Sequence, residues 1–187
     1  MRYLALGDSY TIGTGASDES RAWPSLIAAR LGAELTNPAV NGYTTEDLIR
    51  DELPLVRKVK PELVTVLIGV NDLVQGRTPD QYRRSLAKIY DTVAAYKVVA
   101  VSIPTWSYVP AAADFGGADR VDSLTRNFNE VARQQAASRG FGWVDLGPVS
   151  TSRIGSEGWV ASDRLHPGDA QYQAWAEVIW PAVRDAV

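Results

Sequence analysis

Few residues in this chain can do polar chemistry, and the scarcest type is the most informative. There is one histidine, His166, and no cysteine. A neutral imidazole is the usual base for activating a serine hydroxyl. His166 stands in Asp163-Arg164-Leu165-His166-Pro167. Asp163, three residues earlier, is close enough in a tight turn for its carboxylate to meet a ring nitrogen. That contact would fix the tautomer and stabilise an imidazolium. A helix-capping aspartate beside a surface histidine would leave the same residues in the sequence. The candidate nucleophile is Ser9, at the end of Leu4-Ala5-Leu6-Gly7-Asp8-Ser9. Asn71, in Gly69-Val70-Asn71-Asp72, could aim an amide donor at a developing oxyanion. It could equally be a turn asparagine. Gly42 follows Asn41 in a turn-like pair, and a glycine lets a backbone N–H approach a substrate closely.

These residues are useful only if the fold brings them together. Residues 2–6 are apolar and end at Gly7, as a buried strand should. Residues 11–20 are small and polar and read as loop. Pro24 opens a helix to Leu31, with Gly32 as its stop. Residues 33–36 make a second strand, followed by turn residues at 37–42. Thr44 or Thr45 caps a helix carrying Leu48 that ends before Pro54. Residues 63–68 are rich in apolar and β-branched side chains and closed by Gly69, the pattern of a central parallel strand. Thr78-Pro79-Asp80-Gln81 is a capping-box start, and its helix carries Tyr82, Leu86, Ile89 and Val93 at helical spacing. Residues 97–103 give a fourth strand. Residues 105–117 are irregular. A helix follows with Val121, Leu124, Phe128, Val131 and Gln135 on one face. Residues 141–146 form a fifth strand and 147–165 a loop. Pro167 opens a last helix with Tyr172, Trp175, Ile179 and Val183 inward.

Five strands alternating with helices predict one α/β domain over residues 1–187, a three-layer α/β/α sandwich on a parallel sheet. The expected strand order is the flavodoxin-like 2-1-3-4-5. In that order strands one and three are neighbours, so Ser9 and the turn at Asn71 emerge side by side at the carboxyl edge, where ligands bind.

Composition removes several function classes. The formal net charge is −3, the wrong sign for a default nucleic-acid partner. Without cysteine there are no disulfides, thiolate metal ligands or cysteine nucleophile. One histidine leaves few ligands for zinc, and a carboxylate site from Asp8 and Asp72 has no motif behind it. Gly13-Thr14-Gly15 lacks the third glycine of a dinucleotide fingerprint, and no glycine-lysine pair marks a P-loop. No cofactor or metal is expected. The longest apolar run, 63–70, is far short of the roughly 20 residues of a membrane helix. The N-terminal apolar run is too short for a secretion signal, which needs roughly 7–15 residues. The expected location is therefore cytoplasmic.

The blocks Gly7-Asp8-Ser9, Gly42, Gly69-Val70-Asn71-Asp72 and Asp163-Arg164-Leu165-His166-Pro167 occur in that order. Together they resemble the four signature blocks of the SGNH (GDSL-type) hydrolases, which are serine esterases and lipases. The resemblance runs from residue 7 to residue 167. It implies Ser9 as nucleophile, His166 as base and Asp163 as triad acid. It implies an oxyanion hole of the Ser9 N–H, the Gly42 N–H and the Asn71 side chain. The serine context is Gly7-x-Ser9-x-Thr11, unlike the G-x-S-x-G elbow of α/β-hydrolases. Asp8 is expected to bond local backbone amides and Asp72 to cap the turn after Asn71.

Relatives of that family cleave carboxyl esters, lysophospholipids, acyl-thioesters and acetylated sugars. The compact chain favours small-molecule esters with short to medium acyl chains. Trp106, Tyr108 and Phe115, in the irregular stretch on the same sheet edge as Ser9, are the candidates for lining the substrate pocket. Two other classes compete: a non-catalytic SGNH-like binding module, which would leave Ser9 unreactive, and a metal-dependent phosphoesterase, which would be sensitive to chelators.

Overall fold

A computed structural model describes residues 1–187. The chain begins with β1 (Arg2–Gly7), which passes through Asp8 into the single turn α1 (Ser9–Ile12). A 3₁₀ turn (Glu19–Arg21), α2 (Trp23–Leu31) and β2 (Glu34–Thr36) follow. Next come α3 (Thr45–Asp47), a π turn (Leu48–Glu52) and α4 (Leu53–Val59), which run on as one rod. The chain continues with β3 (Leu63–Leu67), α5 (Val70–Val74), α6 (Pro79–Val93) and β4 (Lys97–Val101). A 3₁₀ stretch (Pro110–Phe115) leads to α7 (Ala118–Ala137) and β5 (Gly142–Val144). The last elements are α8 (Gly147–Thr151) and α9 (Asp169–Ala186).

The sheet is parallel with the order β2-β1-β3-β4-β5, as the pattern of alternating elements predicts. Helices α2 and α9 cover one face. The α3–α4 rod, α6 and α7 cover the other. The two central strands are the most buried. Every residue of β3 is inside, and β1 is buried from Tyr3 to Gly7. Leu4, Leu6, Val64, Val66 and Leu67 have no exposed surface worth counting, and the Tyr3 hydroxyl meets Thr65 Oγ1 at 2.8 Å between them. The edge strands have three residues each and stay partly exposed, a common way to blunt a sheet edge. No helix is long and apolar enough to cross a membrane.

Five local expectations are corrected. The helix after Thr44 does not stop before Pro54. The π turn closes with the Leu53 N–H on the Leu48 carbonyl, and Pro54 then sits in the first turn of α4, where its missing N–H costs nothing. Pro167 does not open the last helix. It pairs with Val160 in an isolated antiparallel bridge, and α9 starts at Asp169 with Gly168 as its cap. The loop expected over 11–20 begins with the second half of α1 and ends in a 3₁₀ turn. The loop expected over 147–165 begins with α8. On α7 the buried face is Val121, Thr125, Phe128, Val131, Ala132 and Ala136, with Leu124 and Gln135 only half-buried.

Candidate active site

The carboxyl ends of β1 and β3 carry the first half of the site. Ser9 opens α1 and is only 7% exposed. The turn is fixed from both sides. Asp8 Oδ1 accepts the Tyr10 N–H at 3.0 Å, so Asp8 serves the backbone as expected. Gly13, at φ +92°, reverses the chain and donates its N–H to the Ser9 carbonyl at 3.1 Å. Gly7 admits no side chain, since a Cβ there would fall 2.1 Å from Thr11 Oγ1 and 2.3 Å from the Leu67 carbonyl oxygen. The Ser9 N–H has no acceptor in the protein, and neither has that of Gly42, which holds φ +82°.

Asn71 ties three segments together. Its Nδ2 donates to the Tyr43 carbonyl at 2.9 Å and lies 3.5 Å from Asp8 Oδ2. The loop that presents Gly42 is therefore joined to the ends of β1 and β3. Gly69, at φ +131°, lets the chain turn against Tyr82, whose ring would lie 2.7 Å from a Cβ. Asp72 meets its own N–H in the first turn of α5 and also reaches beyond that turn. It is fully buried and accepts the N–H and hydroxyl of Thr45 at 2.9 and 2.5 Å, with Arg77 Nε at 3.5 Å. It thereby anchors the start of α3. Burial pushes the Asp72 carboxyl up, against those hydrogen bonds and Arg77. Burial likewise pushes Asp8 up to about 7, opposed by the Tyr10 N–H and aided by the nearby Asp72.

The second half is a turn before α9. Asp163 Oδ2 meets His166 Nδ1 at 2.6 Å, while Oδ1 accepts the Leu165 and His166 N–H groups at 2.9 and 3.0 Å. Arg164 takes the left-handed conformation, φ +62°, that so tight a turn requires. Partial burial opposes the Asp163 charge, but the bonds from His166 and the two amides hold the carboxyl below its usual range. The Ala161 N–H donates to the His166 carbonyl at 2.8 Å, beside the bridge between Val160 and Pro167.

The two halves meet through the segment after Ser9. The Tyr10 ring stands edge-on to the His166 ring, centroids 6.1 Å apart. Gly15, at φ +95°, passes so close that a Cβ would lie 2.5 Å from the Pro167 carbonyl oxygen and 3.0 Å from His166 Cβ. The Tyr172 hydroxyl donates to the Thr14 carbonyl at 2.7 Å, and Ser17 bonds Asp169. The segment that follows Ser9 thus packs against the His166 turn, and Asn71 joins the loop of Gly42 to Asp8, the neighbour of Ser9.

The three aromatic candidates sit differently. Trp106 is buried in the core, with Phe115 edge-on to it at 5.7 Å and 38% exposed. Tyr108 is half-buried and donates to Gln171 Oε1 at 3.2 Å. Trp106 and Tyr108 share a cavity of only about 10 Å3 with Tyr10, Leu165, Pro167 and Trp175.

Sequence reasoning passed over Tyr10, Gly15, Tyr43 and Glu52, and offered Thr45 only as a possible helix cap. Tyr43 contributes a carbonyl and leaves no signal. Gly15 entered only as part of a failed nucleotide motif. Glu52 did leave one: it stands four residues from Leu48 and from Val56, on an apolar face. No group of three or more His, Asp or Glu side chains is placed to hold a metal ion.

Residues 5–174 match the model of the GDSL-like lipase/acylhydrolase family. Esterase TesA of Pseudomonas aeruginosa is 26% identical over 191 residues, covering 97% of this chain and 87% of that protein. Thioesterase 1/protease 1/lysophospholipase L1 of Escherichia coli is 28% identical over 174 residues, 90% of this chain and 76% of that one. A crystal structure of TesA superposes with a TM-score of 0.80 at 25% identity, covering all of both chains.

Proposed function

This chain belongs to the GDSL-like lipase/acylhydrolase family and is a carboxylic ester hydrolase, and from that premise we propose that it cleaves small esters of short to medium acyl chains through an acyl-enzyme on Ser9. His166 takes the Ser9 proton as Oγ attacks the ester carbonyl. Asp163 holds the imidazole through Nδ1 and stabilises the imidazolium. The oxyanion is met by the N–H groups of Ser9 and Gly42 and by Asn71 Nδ2. The tetrahedral intermediate collapses, and the leaving alcohol takes the proton from His166. Water then repeats the cycle on the acyl-enzyme and releases the acid.

The observation that carries this reading is the convergence at one sheet edge. The N–H groups of Ser9 and Gly42 have no acceptor, and the Asn71 amide is held by the Tyr43 carbonyl and lies 3.5 Å from the carboxylate of Asp8, the residue before Ser9. The same edge carries an imidazole held by a carboxylate at 2.6 Å.

The acyl-length reading rests on the packing behind His166. The cavity walled by Trp106 and Tyr108 holds about 10 Å3, less than a methylene chain needs, so a long acyl group finds no tunnel there. Trp106 and Tyr108 act as a back wall and Phe115 as a cover on Trp106. A p-nitrophenyl ester series tests this, with a lysophospholipid and acetylated xylan alongside. Acetyl and butyryl esters should exceed the dodecanoyl ester in kcat/KM by about tenfold or more, since the longer chain gains no burial there and must crowd the packed wall to keep its carbonyl in place. A dodecanoyl optimum, or a clear preference for the lysophospholipid, contradicts the short-acyl reading.

A further inference from the structure

Glu52 is a buried acid that the proposed hydrolysis does not use. It closes the π turn and is 1% exposed. A π turn inserts an extra residue into a helix, redirects the side chains around it, and is found often at functional sites. Here the redirected side chain points at the end of β1. β2 pairs with β1 only as far as Thr36 opposite Leu4, whereas β1 runs on to Gly7. On that side the Gly7 N–H has no strand to bond. Glu52 Oε2 accepts it at 3.0 Å. Asp8 and Ser9 follow directly.

We propose that Glu52 is a positioning residue for Ser9, substituting for the missing strand beside Gly7 and holding the Gly7-Asp8-Ser9 turn with a protonated carboxyl. The proposal rests on the reading of Ser9 as nucleophile.

The geometry argues for the proton. Glu52 Oε1 has no partner, and a buried carboxylate with a single amide donor and no cation is far costlier than a neutral acid. The charges that act on Glu52 are both acidic: Asp8 beyond β1, and Asp51 beside it on the turn. From α3, Asp47 pairs with Arg50 and Glu46 with Arg77. Arg57 and Lys58 of α4 are exposed. From α6, Arg84 and Lys88 line an outer cleft with Arg77. Burial, offset by the Gly7 N–H and reinforced by Asp8, pushes the carboxyl up to about 8.

The consequence has a definite sign. Between the ordinary carboxylate range and pH 8 the folded chain holds a proton that the unfolded chain has released. The associated stability is complete below the unfolded value and is lost as pH rises through about 8. Ionisation places a charge beside Asp8 and loosens the turn that carries Ser9. Turnover then falls on the alkaline side without a matching change in KM.

The test compares wild type, Glu52→Leu and Glu52→Gln on p-nitrophenyl acetate from pH 5.5 to 10, with melting curves at each pH. Glu52→Leu removes the acceptor and should lower kcat by about tenfold or more, with KM within about threefold. Glu52→Gln keeps an acceptor for Gly7 and cannot ionise. It should recover kcat to within about threefold of wild type at pH 6.5 and lose the alkaline fall. Wild-type kcat and pH profile in Glu52→Leu, or a Glu52→Gln as slow as Glu52→Leu, overturns the proposal. If Glu52→Leu does not fold, the Glu52→Gln profile decides, and an alkaline fall like that of wild type overturns it. If the wild type neither cleaves esters nor labels at Ser9 with a fluorophosphonate, it is the Ser9 reading that has failed. The melting curves then judge the strand-substituting role of Glu52: Glu52→Gln must flatten the decline between pH 5.5 and about 8, and identical slopes over that range overturn it.

Discussion

Around Ser9, order comes from burial; around His166, it comes from one exposed turn. The Ser9 side is backed by three buried acids, each spent on backbone or hydroxyl groups. Asp8 holds Tyr10, Asp72 holds Thr45, and Glu52 holds Gly7. The His166 side has one acid, Asp163, whose side chain is 43% exposed. Its two oxygens divide the work: one meets the imidazole, and the other collects two backbone amides. A residue that shapes its own turn and orients the base can be lost without emptying the core. A residue such as Asp72 cannot. The comparison separates acids by what they hold: the buried three hold backbone and hydroxyl groups of the Ser9 side, whereas Asp163 holds the imidazole from an exposed turn.

Two substitutions can break that contrast. The larger expected effect on rate is at Asp163. Asp163→Ala removes the imidazole's partner and the one oxygen that accepts both amides, and kcat should fall by about 10²–10⁴-fold. Its melting temperature should stay within a few degrees of wild type, because the turn is at the surface. Steady-state kinetics with calorimetry checks both. A melting temperature lowered as much as by a core truncation would mean that the His166 turn is part of the buried framework.

Asp72→Ala should show the reverse profile. It strands the Thr45 N–H and leaves Arg77 without its buried carboxylate, at a cost of about 1–3 kcal/mol. For a chain of this size that is a fall of several degrees in melting temperature. The rate, measured below the new transition, should drop less than in Asp163→Ala. A larger rate loss than in Asp163→Ala, at unchanged stability, would place Asp72 with the chemistry.

The same contrast explains what the sequence made legible. The strands were readable because residues 2–6 and 63–68 are apolar and bounded by glycines, and burial demands that pattern. Helix α6 was readable from its capping box, which the structure forms between Thr78 and Gln81. The His166 turn was readable because Asp163 and His166 are local in sequence. The buried acids were not, since their partners are remote in sequence: Asp72 reaches Thr45 across 27 residues and Glu52 reaches Gly7 across 45. Pro54 misled for a different reason. Proline forbids an ordinary helix interior, but the π turn ahead of it lets the rod restart with proline in its first turn.

The central claim is that His166 and its turn activate a serine fixed by the buried half. Fluorophosphonate labelling with peptide mapping tests it directly, run on wild type, Ser9→Ala and His166→Ala. Wild type should carry one adduct, on Ser9. Ser9→Ala should carry none, and His166→Ala should label more slowly by about 10²-fold or more while remaining folded. An adduct on another residue, or wild-type labelling in His166→Ala, would contradict the account.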